Sequence, residues 1–151
     1  MRAAKIDPHD TASLGAVWNR LATFLEVHAE TEEKFFYPDL LRVGRKQGET
    51  EAVEEETLDA IKDHNEIRDA VAAVGQCAVG SDDWFAAVLA ANKANGDHMA
   101  EEEREGLTDF RRHASLALRH DLAVKFAAYE MRHVTGVVPV DKDPQEWVER
   151  H

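Results

Sequence analysis

Apolar residues recur at helical spacing almost from end to end of this chain, and the only strand-like run is Val137-Val138-Pro139-Val140. That pattern restricts the fold to the all-α class. A first helix is capped by Asp10 or Thr11, carries Leu14, Val17, Leu21, Phe24 and Leu25, and runs toward Phe35, with Pro38 ending or bending it. Gly44 to Gly48 is expected as a loop. A second helix starts at Glu49 to Glu51, uses Val53, Ala60, Ile61, Ile67, Val71 and Val74 as its stripe, and stops around Gly75 to Gly80. Ser81 or Asp82 caps a third, which packs through Trp84, Ala87, Val88, Ala91 and Ala94 and breaks between Gly106 and His113. A fourth follows from Ser115 through Leu118, Leu122, Phe126 and Tyr129 to His133 and is closed by Gly136. Short loops between such helices make antiparallel neighbours, hence an antiparallel four-helix bundle. The chain reads as one domain over 1–151, with its core at about 11–136 and a C-terminal tail at 137–151. Trp147 and Val148 in that tail either cap the bundle or contact another subunit, which leaves a homo-oligomer open.

Charge narrows the partners. Thirty acids against 18 bases give a net charge of −12, which repels a phosphate backbone and argues against nucleic acid. No apolar stretch approaches the roughly 20 residues of a membrane span, and Met1 to Pro8 has no apolar signal core, so a cytoplasmic protein is expected. A single cysteine, Cys77, excludes an internal disulfide and a thiolate cluster, and it reads as a small buried residue. Eight histidines among many carboxylates suit iron, manganese or zinc.

The histidines are not scattered. His28-Ala-Glu-Thr-Glu32 and His98-Met-Ala-Glu-Glu102 repeat the spacing His-x-x-x-Glu, which puts both side chains of a pair on one helix face. At about 100° per residue, His28 and Glu32 fall on the apolar stripe of the first helix, His64 on that of the second, and His98 and Glu102 on that of the third. At about 1.5 Å rise per residue, counting from the loops brings all three to one level, midway along the bundle. Buried carboxylates and imidazoles without partners each cost several kcal/mol, and a bound metal removes that cost. A hydrogen-bonded polar layer or a water-filled network is the alternative.

These residues resemble the hemerythrin-like domains with HHE cation-binding motifs. The stretch from His28 through Glu32 and Glu33 to Leu40 looks like the family's second-helix motif, Asp63-His64-Asn65-Glu66-Ile67 like its third, and His98 through Glu102 and Glu103 like its fourth. The resemblance covers about residues 11 to 112. It implies a non-haem centre of two iron ions, bridged by the two glutamates and capped by the histidines, with manganese or zinc as other occupants. Family members usually carry a further histidine on a preceding helix, and only about ten residues precede Thr11 here. His9 sits too near the helix start to take that role. The C-terminal helix is the expected replacement, with His133 as the sixth ligand and Glu130, three residues before it, as a second candidate. A helix-end histidine serving the terminal carbonyls is the other reading of His133. His113 and His120 are expected in solvent, Tyr129 in the core, and Arg68 paired with a glutamate or an anion.

Such a ligand set leaves an open position for dioxygen, peroxide or nitric oxide. One function class is a carrier or sensor in which Phe24, Phe35, Phe126 and Val71 seal the site against protons. A second is an enzyme that decomposes peroxide or oxidises a small substrate, for which the absent helix leaves room. A third is a structural bundle that holds zinc or no metal.

Overall fold

A computed structural model describes residues 7–151, so the first six residues of the leader read at Met1 to Pro8 lie outside the described residues. The chain is all-α. Its elements are α1 (Thr11–Thr31), a π-helical turn (Glu32–Phe36), α2 (Tyr37–Lys46), α3 (Thr50–Val74), α4 (Asp82–Arg104), α5 (Gly106–His113), α6 (Leu116–Arg132) and α7 (Pro144–Arg150). The helix starts follow local chemistry: Asp10, Ser81 and Ser115 each accept a hydrogen bond from a backbone N–H three residues on. Among the described residues no helix is long and apolar enough to cross a membrane.

Pro38 neither ends nor sharply bends the first helix. A proline ring clashes with the carbonyl four residues back in a regular α-helix, and here the turn before it widens. The Tyr37 N–H reaches the Glu32 carbonyl, five residues back, and Pro38 then sits in the first turn of α2. The expected loop at Gly44 to Gly48 is shorter than read, because α2 continues to Lys46. Gly44 is a buried helical residue, and a Cβ there would come within 2.8 Å of Val53 Cγ2. The glycine is what lets α2 and α3 approach.

The core is divided in two. Leu14, Trp18, Val74, Trp84, Val88 and Ala91 form one apolar cluster near the 75–80 connection. Phe36, Tyr37, Leu40, Leu41, Val53, Ile61 and Phe110 form the other at the opposite end, and Trp147 and Val148 of α7 join it. The tail therefore caps the bundle, with Trp147 edge-on to Tyr37 at 6.5 Å. Between the clusters lies a buried polar layer of Glu32, Glu33, His64, Arg68 and His98. Cys77 is half-buried beside the first cluster.

α3 and α4 form the most closely packed hairpin. α6 runs antiparallel to α1, with Phe126 5.2 Å from His28 and Arg20 donating to the Val134 carbonyl at 2.9 Å. It packs on α1 and the π-helical turn rather than on α4. The seam between α1 and α4 is left open, and Val17 and Leu21, read as core, line a groove there with Phe24, which is 44% exposed.

Candidate metal centre

Three imidazoles aim the same nitrogen at one carboxylate. His28 Nε2 lies 2.9 Å from Glu32 Oε1, and His64 Nε2 lies 3.1 Å from Glu32 Oε2. His98 Nε2 stands 3.8 Å from that oxygen and 3.2 Å from His64 Nε2. Donor atoms of Glu32, His64 and His98 all fall within 4.8 Å of one another. These three residues come from α1's continuation, α3 and α4, which is the convergence that angle and height counting anticipates.

Each imidazole is also held from behind. His28 Nδ1 meets Glu130 Oε1 at 2.9 Å, His64 Nδ1 meets Glu33 Oε1 at 2.8 Å, and His98 Nδ1 meets Asp63 Oδ2 at 3.4 Å. A neutral imidazole has one N–H, and a carboxylate at Nδ1 claims it, so the Nε2 lone pair is turned toward the cluster. Nε2 atoms 3.2 Å apart beside an anionic carboxylate share either a proton or a metal ion. Donors bound to one ion at about 2.1 Å sit about 3.0 to 3.4 Å apart, so His64 Nε2 stands at a metal-sharing distance from both His98 Nε2 and Glu32 Oε2, while the 3.8 Å from His98 Nε2 to that oxygen is wider.

The electrostatics agree. Burial pulls the His28 and His98 imidazoles down, but the surrounding carboxylates outweigh it. Glu32 and Glu130 push His28 up to about 9, while Asp63, Glu32 and Glu102 push His98 up to about 10. Burial alone raises Glu32, yet the three imidazoles hold its carboxyl well below the usual range. The site is a sink for positive charge. Glu102 stands one helical turn beyond His98, where it accepts from the Tyr37 hydroxyl at 2.9 Å. Burial and the nearby Glu32 charge raise it to about 6, against the opposing pull of His98 and Tyr37. Burial and the same two carboxylates hold Tyr37 as a neutral phenol.

Glu33, which the spacing argument leaves unassigned, is as buried as Glu32. The π-helical turn explains how adjacent residues both point inward: its wider winding turns the two carboxylates to the same polar layer. Glu33 Oε1 takes Arg68 Nη2 at 3.0 Å, and Lys142 Nζ pairs with Oε2. Arg68 bonds Glu26 as well, at 3.0 Å, so the glutamate alternative for this arginine is the one realised. Lys142 is fixed by a reciprocal pair of bonds with Asn65, and its Nζ also reaches Glu30 at 3.1 Å.

Two expectations need correction. His133 is not brought to the cluster: it ends α6, bonds its own Tyr129 carbonyl through Nδ1 at 2.8 Å and stacks on the Tyr129 ring. Past the end of α6 the Val134 carbonyl takes Arg20, about three turns before Glu32 along α1, so the helix-end reading of His133 holds. Glu130 does reach the site, but behind His28 rather than among the Nε2 atoms. His113 lies on α5, not in a loop, and pairs with Glu49 at 2.8 Å; His9 and His120 are exposed.

A helical bundle that turns a histidine and carboxylate cluster into its middle belongs to the cation-binding helical proteins. The chain matches the hemerythrin HHE cation binding domain over residues 2–133, and it is a member of that family. The match ends at His133, so the segment that delivers Lys142 lies beyond it. Comparison with curated proteins and with solved structures gives no match.

Proposed function

We propose that this protein is a non-haem iron protein whose ligands are His28, Glu32, His64, His98 and Glu102, and that a pair of irons held there reacts with dioxygen, peroxide or nitric oxide. The observation that carries the reading is the set of three Nε2 atoms turned on Glu32, each braced by a carboxylate at Nδ1. Iron bound by such mixed nitrogen and oxygen donors supplies redox chemistry toward small oxidants. Five ligands are fewer than two irons use, which leaves coordination positions for a small molecule.

Exposure favours turnover over sealed carriage. The His28 side chain is 42% exposed, and Phe24 stacks on it at 5.6 Å while remaining half in solvent. A shell meant to keep protons from a bound oxidant would close that side. Oxidation of a small substrate, or decomposition of peroxide, is therefore the form of the activity that the geometry supports best.

Metal analysis of the purified protein tests this. About two irons per chain are expected, lost in Glu32→Ala and in His98→Ala, with oxygen release from peroxide lost in parallel. A protein that takes up iron no better than its Glu32→Ala variant would overturn the assignment. Zinc bound in place of iron would leave the ligands standing and remove the redox activity.

A further inference from the structure

The groove along the open α1–α4 seam encloses a cavity of about 650 Å³. That is within the range of small-molecule sites, roughly 300 to 1,000 Å³. Its walls are Val17, Leu21 and Phe24 from α1 with Val88 and Ala91 from α4, and Asn92 and Asn95 supply neutral hydrogen-bonding groups. Arg20 is the one charged side chain in the wall among the described residues, and it donates to the Val134 carbonyl. A cationic occupant would find no counter-charge there, whereas an uncharged molecule would meet apolar surface and two amides.

A second copy of the chain is a poor occupant. Each copy carries a net charge of −12, which opposes self-association. The groove also has a direction. Phe24 at one end stacks on His28, whose ring also makes a T-shaped contact with Phe126 and whose Nε2 points at Glu32. A molecule lying in the groove is delivered beside the exposed side of the cluster.

We propose that the α1–α4 groove binds a neutral, mainly apolar organic molecule carrying one hydroxyl or carbonyl group, held at Asn92 or Asn95 and presented to the His28 side of the centre. As a substrate class this rests on the proposed iron chemistry, but binding itself does not need the metal. The test is titration with the neutral fluorophore N-phenyl-1-naphthylamine, both on the protein as purified and after chelation. Saturable binding with energy transfer from Trp18 is expected in both. Leu21→Glu, which puts a charge in the wall, and Asn95→Trp, which fills the cavity, each weaken it at least about tenfold, equivalent to about 1.4 kcal/mol.

Leu21 packs against the margin of the Leu14–Trp84 cluster and Asn95 lies outside both clusters, so helical circular dichroism identifies any variant that fails to fold; the other then carries the test. Neither residue lines the second cavity, between α1, α3 and residues 135–139. Binding unchanged in both variants would place the probe there or elsewhere and overturn the proposal, as would its displacement by a concentration-dependent dimer in sedimentation. Loss of iron with intact probe binding would instead count only against the metal chemistry.

Discussion

Glu33 holds His64 by Nδ1 at 2.8 Å from the same π-helical turn that sets Glu32 against the opposite ring nitrogen at 3.1 Å. One widened turn thus places carboxylates at both nitrogens of a single imidazole. The brace fixes the tautomer and strengthens the donor, and its removal typically costs 10- to 100-fold in metal affinity. Glu33→Gln is expected to lose about that much while the fold survives, since the amide can still accept from His64. A titration with ferrous or cobaltous ion reads it, and an affinity equal to wild type would reduce Glu33 to a structural ion-pair partner.

His133 and Glu130 separate cleanly. His133→Ala touches only the end of α6, so metal content should be unchanged and stability should move by no more than about 0.5 kcal/mol. Glu130→Gln weakens the hold on His28, whose far side is already wet, and should lower metal affinity by at most about tenfold. Loss of metal in His133→Ala would restore it as a ligand.

The convergence of histidines and glutamates was legible because it needs only two helix constants, the angle and the rise per residue, and both are insensitive to tertiary detail. Glu32, His64 and His98 meet as that arithmetic requires. The helix starts near Asp10, Ser81 and Ser115 were legible for the same reason, being local chemistry. The π-helical turn was not, since an extra residue in a helix has no strong signature, and Pro38 pointed only to a disturbance. Glu33 therefore had no role beyond its place in the motif. The place of α6 was hidden too. Its stripe states which face is apolar, but packing against α1 rather than α4 is decided by Phe35, Phe126 and Tyr129, whose contacts join residues far apart in sequence. Lys142 carried no signal at all; its role exists only because Asn65 holds its backbone.

Gly44 marks a contact that no larger residue can share. Gly44→Ala drives a methyl into Val53, and overpacking of this kind costs about 1 to 3 kcal/mol. Urea denaturation should show that loss, and adding Val53→Ala should recover part of the Gly44→Ala penalty by making room. Additive losses in the double variant would mean that the two helices relax apart instead.

Lys142 neutralises a carboxylate that is 3% exposed. Arg68 serves Glu33 Oε1, and removal of Lys142 leaves Oε2 buried without a cation. Lys142→Met, which keeps most of the stem, is expected to lower stability by about 1 to 3 kcal/mol in urea unfolding. If the variant is as stable as wild type, residues 134–143 do not secure the polar layer.

Glu56 gives the fold a pH dependence opposite to that of most carboxylates. One of its oxygens is buried without a partner, and Asp109, Glu105 and Glu49 face it. Arg112 on Asp109 at 2.6 Å and His113 on Glu49 at 2.8 Å offset part of that field. Burial and the neighbouring acids raise Glu56 to about 8 from an ordinary value of 4.5, with a proton shared toward Asp109. Between those two pH values the folded chain therefore holds a proton that the unfolded chain has released. The contribution of this group to stability is greatest below about pH 4.5, falls as pH rises through the window, and is flat above about pH 8. Glu56 is only partly buried, so solvent screening reduces the effect to about 1 kcal/mol. Glu56→Gln should flatten the fall, with a melting temperature above wild type near pH 9 and little different near pH 5. Thermal melts of both proteins across that range check it, and equal slopes would place the shared proton on another acid.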